Sequence, residues 1–267
     1  MKTTFTLSIV LLLLAGCGQD KSSPEPAASK PPAQAAPEVS IYAAAVASDK
    51  RLEGDLASDA GRKPDAVLEF FGIGPGDVVL EMWAGSGYYT ELLAHVVGSE
   101  GKVYAHANTP ILNFAGDAHV RRHADDRLPN TEILHAENNE LSLEADTFDA
   151  ATIILNYHDL YWSSEQYGWE KIDVPAFLAE IYKGIKPGGT LGIVDHSAAP
   201  GSPAETGNSL HRIDSAVVIA ELEGAGFVLE AESDVLQNPD DDHTRNVFDP
   251  SIRGNTDRFV LRLRKPE

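Results

Sequence analysis

Cysteine is nearly absent: Cys17 is the only one in 267 residues. That excludes a disulfide framework and argues against a cysteine nucleophile or a thiolate metal site. Positive charge is also scarce. Lys and Arg number 21 against 41 Asp and Glu, for a net charge of -20. A nucleic-acid partner needs a basic face that acids do not cancel, so that class is set aside. No apolar run is long enough to span a bilayer, the longest being Phe5 to Leu14. There is no internal repeat. The glycine-rich dinucleotide fingerprint is incomplete as well: Gly85 and Gly87 are present, but its third glycine would fall at Thr90. A hydrophobic content of 43% still supports one sizeable core.

The N-terminus has the layout of an export signal, with Lys2 before the apolar run and small residues after it. Leu14-Ala15-Gly16-Cys17 resembles the cleavage and lipidation box of bacterial lipoproteins. The resemblance implies a signal peptide over residues 1–16 and an acylated Cys17 at the start of the mature chain. A plain secretory signal with an incidental cysteine is the alternative. More than one acyl chain gives stable anchoring. Gly18 after the cysteine resembles an outer-membrane sorting signal, so the expected location is exported and lipid-anchored, facing the periplasm in a diderm cell. Residues 17–40 are rich in Pro, Ala, Ser and Lys and read as a disordered tether. Residues 41–267 read as one globular domain.

Within that domain, Asp77 to Leu93 is the most informative stretch. Val78, Val79 and Leu80 suit a strand covered on both faces, and Glu81 closes it. Gly85 and Gly87 permit positive φ and leave room beside the backbone. Tyr89, Leu92, Leu93, Val96 and Val97 then repeat at helical spacing up to Gly98. Before it stand a helical arm over about 41–60 and a helix opened by Pro64. Further strands are expected near 102–107, 131–136, 149–155 and 190–194, with a helix over 174–185 and a Pro-Gly-Gly turn at 187–189. Asp214 is placed to cap a helix ending near Gly224, and strands at 227–232 and 257–264 close the chain. Alternating strands and helices imply an α/β, doubly wound, seven-stranded, mostly parallel sheet with an antiparallel C-terminal hairpin. The polar connection 236–256 has the length of a lid or a flap.

The turn Glu81-Met-Trp-Ala-Gly-Ser-Gly87 resembles the first motif of class I S-adenosylmethionine-dependent methyltransferases, with Trp83 where the longer motif has its first glycine. The resemblance extends over residues 64–265. Asn156-Tyr-His-Asp159, Val194-Asp-His-Ser197 and Leu210-His-Arg-Ile-Asp214 look like those of a group of bacterial "predicted methyltransferases" that often carry export signals. It implies S-adenosylmethionine as cofactor. Gly85 and Gly87 would admit its methionine moiety, with Glu81 on the ammonium. Glu137, with Asn138 beside it, would read the adenine amino group. Ala107 stands where the family has its ribose acid, which leaves Asn108 for the ribose, and Asn156 completes the cofactor-binding set. The plainer readings are a cap for Glu81 and a solvated loop acid for Glu137.

In open α/β sheets ligands lie beyond the carboxyl ends of the strands. Candidate catalytic residues gather there: His158 first, as a base for methyl transfer, then Asp159, Asp195 and His196. Asp159, Asp195, His196 and His211 also make a conceivable N/O metal set, but no pair has a recognised spacing, so no metal is assigned. Hydrogen bonding among the histidines, or salt bridging to Arg212, is the plainer reading. Tyr157, Tyr161, Trp162, Tyr167 and Trp169 would wall a substrate pocket or simply pack on the core. Two functions compete: a methyltransferase acting on a small molecule, and an inactive relative that keeps the fold and binds a nucleoside-like or other small ligand. An NAD or nucleotide-sugar enzyme suffers from the missing third glycine.

Overall fold

A computed structural model describes residues 39–267, which form one unit. Cys17, the export segment and nearly all of the expected tether lie outside the described residues. Among the described residues no helix is long and apolar enough to cross a membrane.

The arm is two helices, not one. Ser40 caps α1 (Ile41–Val46) through its hydroxyl, and α2 spans Leu56–Arg62. The stretch between them is pinned by Arg51, whose guanidinium donates twice to Asp59 at 2.7 Å. Lys63 turns left-handed, ending α2, and Pro64, whose fixed φ suits the first helical position, opens α3 (Pro64–Phe71). The chain continues through β1 (Val78–Met82), α4 (Tyr88–Val97), β2 (Lys102–Ala107), α5 (Thr109–Ala115), α6 (Asp117–His123), β3 (Thr131–His135), β4 (Phe148–Ile154), α7 (Val174–Gly184) and β5 (Ile185–His196). It ends with α8 (Thr206–Leu210), α9 (Ser215–Gly224), β6 (Val228–Ser233) and β7 (Arg258–Arg264).

The seven strands form one sheet in the order 3-2-1-4-5-7-6, parallel except for β7, which runs against both neighbours. This is the expected doubly wound plan. Side chains alternate between two cores. Val79 faces Val67, Leu68 and Phe71 of α3 and Leu92 and Leu93 of α4. Leu80 and Met82 face Phe177, Leu178 and Ile181 of α7 and Val218 and Leu222 of α9. Helices α5 and α6 bury almost nothing apolar, which is why no periodicity announces them. The Pro-Gly-Gly turn is absorbed into β5 through a register irregularity opposite Phe148 and Ala150.

The long connection 236–256 is not a loose flap. Arg212, fully buried, donates to both oxygens of Asp241 at 2.8 and 3.0 Å, and Leu236, Val247 and Ile252 are buried. At the other edge Met82 pairs with Ile153, and Ile154 with Val194, so β1 and β4 end within a residue of each other and β5 runs two residues further, to His196. The functional groups stand on that edge.

Candidate active site

The turn after β1 is built from three left-handed residues: Trp83 (φ 50°), Gly85 (φ 59°) and Gly87 (φ 81°). Trp83 thus adopts the backbone a glycine would have there. An L residue pays roughly 1–2 kcal/mol for that conformation. Burial of the indole offsets it. The ring stacks on Phe177 at 5.0 Å and 8°, and its Nε1–H donates to Asn138 Oδ1 at 2.9 Å. The Trp83 amide faces Nδ1 of His106 at 3.4 Å, while His106 Nε2 faces the Ala136 carbonyl at 3.1 Å. Burial lowers the His106 pKa to about 4, so this ring is neutral.

Glu81 is buried and accepts from Thr90 Oγ1 at 2.5 Å. Burial raises its pKa to about 8, against the lowering pull of that hydrogen bond and of the Arg122 charge. At Gly85 an added Cβ would meet nothing closer than the Trp83 carbonyl oxygen at 3.9 Å, so the cradle is open on that side. Gly87 differs: its missing Cβ makes room for Arg122, not for a ligand. On the nucleoside side, Glu137 Oε1 accepts from the Thr109 amide at 3.1 Å, and Oε2 has no hydrogen-bond partner among the described residues. Asn108 caps α5 by accepting from Ile111 N and donates to Asn138 Oδ1 at 3.2 Å. The open cradle at Gly85, the acid at the end of β1 and the free oxygen of Glu137 fit S-adenosylmethionine. The ribose position, Ala107, carries no polar side chain, and Asn108 is already engaged.

Beyond β4 and β5 the sequence-chosen polar residues do converge. Leu155 turns left-handed and a single 3-10 turn, Tyr157–Tyr161, folds back over the strand ends. His158 is 2% exposed. Its Nδ1 lies 2.8 Å from Asp195 Oδ1, and its amide donates to Asp195 Oδ2 at 2.8 Å. Its Nε2 faces Asp159 Oδ1 at 3.4 Å. Burial alone would lower the His158 pKa, but the charges of Asp195 and Asp159 outweigh it and hold it at about 9. Burial works to raise the Asp159 pKa, yet the His158 charge and hydrogen bonds from His211 and Asn156 hold it below the usual carboxylate range. Asn156 therefore orients Asp159, its Nδ2 donating to Oδ2 at 3.0 Å. His196 turns away, with Nδ1 2.6 Å from Thr256 Oγ1, and burial pushes its pKa well down. Arg212 salt-bridges Asp241 rather than the cluster.

Two residues outside the sequence-chosen catalytic set complete the site. His211, left-handed at φ 53°, sets its Nδ1 3.5 Å from Asp159 Oδ1. Gly207 in α8 lies so close to the 3-10 turn that a Cβ would fall 2.4 Å from the His158 carbonyl oxygen. The histidine had a signal, its place just before the Asp214 cap; the glycine had none. Alongside runs a path of rings, Trp169 to Trp162 at 5.4 Å, Trp162 to His211 at 6.0 Å and His211 to Phe248 at 4.9 Å.

The sheet order, the glycine turn at the β1 edge and the acid after β3 define a class I S-adenosylmethionine-dependent methyltransferase fold, with S-adenosylmethionine as its cofactor. The model of the ubiE/COQ5 methyltransferase family matches residues 62–205, and the chain belongs to that family. The ubiquinone/menaquinone biosynthesis C-methyltransferase UbiE of Teredinibacter turnerae is 28% identical over 157 residues, 58% of this chain and 57% of that one. The 2-phytyl-1,4-naphtoquinone methyltransferase of Synechococcus elongatus is 32% identical over 123 residues, 45% of this chain and 46% of that one. The chain thus spans about half the length of the curated relatives it matches. Among solved structures, a SAM-dependent methyltransferase from Aquifex aeolicus shares the fold with a TM-score of 0.55 at 24% identity, covering 79% of this chain and 95% of that one.

Proposed function

We propose that the protein is an S-adenosylmethionine-dependent methyltransferase whose acceptor is a small, flat, hydroxylated aromatic molecule. The observation that carries this is the ring path from Trp169 through Trp162 to His211 and Phe248, running beside the His158–Asp159 cluster. Tyr167 and Phe248 on this side are exposed, which suits an apolar guest better than water. The names of the relatives point to quinones, whose reduced hydroquinone forms are flat hydroxylated aromatics.

Bound S-adenosylmethionine supplies the methyl group. The chain's own residues do the rest. Gly85 admits the methionine end, Glu81 answers its ammonium and Glu137 meets the adenine amine. The aromatic path orients the acceptor plane, which is where much of the rate arises in an in-line transfer. The acceptor hydroxyl gives its proton to the Asp159 carboxylate, flanked by His158 and His211, as its nucleophilic atom takes the methyl group and the demethylated cofactor leaves. Asp195 serves as the positioning residue behind His158, and His196 braces the Thr256 side.

We also propose that the domain is exported and tethered through an acylated Cys17, on the strength of the Leu14-Ala-Gly-Cys17 box. An anchor of that kind keeps the site at the membrane surface, within reach of apolar aromatic molecules that partition there. Three measurements test these readings. Calorimetric titration of the purified domain with S-adenosylmethionine and its demethylated product should show binding, and labelled methyl should pass to hydroquinones or naphthohydroquinones in a small panel. Binding without transfer across the panel would favour the inactive, ligand-binding relative. Labelled palmitate should enter the wild-type chain and not Cys17→Ser.

A further inference from the structure

We propose that His158, Asp159 and His211 form a binding site for one first-row divalent transition-metal ion. His158, Asp159 and His211 each offer one ligand atom, and these three atoms all lie within 4.8 Å of one another. Asp159 Oδ1 stands 3.4 Å from His158 Nε2 and 3.5 Å from His211 Nδ1. A charge-assisted N–H···O contact would close to about 2.7–2.9 Å. Two ligands each about 2.0–2.1 Å from a tetrahedral zinc ion stand about 3.3–3.4 Å apart, close to the spacing seen.

The surroundings of the three ligands carry the second argument. A metal-binding imidazole is typically held from behind by a carboxylate on its other nitrogen, which fixes the tautomer. His158 has that support: its Nδ1 is 2.8 Å from Asp195 Oδ1, so Nε2 is the nitrogen aimed at the centre. Asp195 is fully committed to this task, because Oδ2 accepts the His158 amide at 2.8 Å and Oδ1 the His196 amide at 2.7 Å. Asp159 is steadied in the same way. Asn156 donates to Oδ2 at 3.0 Å and leaves Oδ1 for the centre. His211 reaches inward from a left-handed backbone, a conformation that costs a non-glycine residue energy and is retained where the surroundings impose it. His196 takes no part, since it is not among the residues whose ligand atoms gather here.

Two imidazoles and one carboxylate suit zinc, iron(II), cobalt or manganese better than magnesium or calcium, which prefer all-oxygen sites. Three protein ligands leave positions open. If the methyltransferase reading holds, those positions take the acceptor oxygen and stabilise it as an anion. One of the three ligands, His211, lies beyond the residues 62–205 that the family model matches.

The experiment is calorimetry of the chelator-treated full chain with Zn(II), backed by visible absorption of the Co(II) form. One equivalent should bind. Asp159→Asn and His211→Asn, asparagine being after glycine the residue that best tolerates a left-handed backbone, should weaken binding at least 100-fold. Asp195→Asn, acting through His158, should weaken it about 10- to 100-fold. His119→Gln/His123→Gln should change nothing; it removes a histidine pair on α6 whose rings are 5.1 Å apart and could bind metal by itself. Circular dichroism and melting show whether each variant is folded, and the half-buried His211 makes its variant the safest to read. No uptake, uptake unaffected by His211→Asn, or uptake abolished by the α6 pair would overturn the proposal. S-adenosylmethionine titration of the same samples separates the two readings: cofactor binding without Zn(II) uptake sinks the metal alone, and Zn(II) uptake without cofactor binding sinks the methyltransferase alone.

Discussion

Arg122 lies across Gly87: a Cβ on that glycine would sit 2.9 Å from Cγ of the arginine, whose Nε–H donates to the neighbouring Ser86 carbonyl at 2.9 Å. The same guanidinium pairs with Asp55 at 2.7 Å and with Glu91, and Arg127 reaches Glu91 at 2.6 Å. The N-terminal arm, α4 and α6 thus meet on the glycine turn through one buried charge network. Gly87→Ala should cost about 2–3 kcal/mol, combining the left-handed backbone with the clash. Urea denaturation checks it. In an Arg122→Ala background the clash disappears, so the same substitution should cost about 1–2 kcal/mol.

Trp83 gives a prediction with an unusual order. Removing a buried tryptophan side chain costs about 3–5 kcal/mol. Alanine is ordinarily the better replacement than glycine, but at φ 50° the backbone reverses that preference. Trp83→Gly should therefore be more stable than Trp83→Ala by about 1 kcal/mol. Equal stabilities, or alanine ahead, would mean that the turn relaxes out of the left-handed region once the indole is gone. Asn138 Oδ1 loses a donor in either variant, so that term cancels between them.

Much of this arrangement was legible from residues alone, and the limits have physical causes. Strand β1 and helix α4 are written in continuous apolar runs and helical spacing, so the plan of the sheet followed. The polar ends after β4 and β5 were visible as Asn156-Tyr-His-Asp159 and Asp195-His196. Their internal pairing was not, because no periodicity tells that His158 turns to Asp195 while His196 turns to Thr256. Gly87 looked like space for a ligand, since a sequence cannot show that Arg122, 35 residues on, fills it. The connection 236–256 read as a lid or a flap from its length and polarity, whereas Asp241 within it is buried on Arg212.

That buried pair makes the third prediction. Arg212 donates to both Asp241 oxygens, and Asp241 also accepts the Asp257 amide at 2.7 Å. Arg212→Met would strand a carboxylate in the interior, at a cost of about 3–5 kcal/mol. The loss should appear first as release of the 236–256 connection, seen as new cleavage there in limited proteolysis before the rest of the domain is attacked. Arg212→Met/Asp241→Leu should recover part of the stability, since no unpaired charge then remains.

Glu81 makes the last prediction, and its sign can be worked out. Its folded pKa is about 8 against an ordinary 4.5, so between those values the folded state holds a proton that the unfolded state has released. The stability this contributes is fully present below pH 4.5 and is lost as pH rises through 8. Wild type should thus fall by roughly 3–5 kcal/mol relative to Glu81→Gln between pH 5 and pH 9, at about 1.4 kcal/mol per pKa unit. Melting curves of the two proteins across that range measure the difference. Cofactor binding adds a second readout. An ammonium partner favours the carboxylate, so binding to wild type below pH 8 should release a proton and tighten as pH rises, beyond the change seen for Glu81→Gln. Calorimetry in buffers of different ionisation heat counts that proton. If the two proteins release the same number, Glu81 does not meet the ammonium and the methionine end of the cofactor is held by the backbone around Gly85 alone.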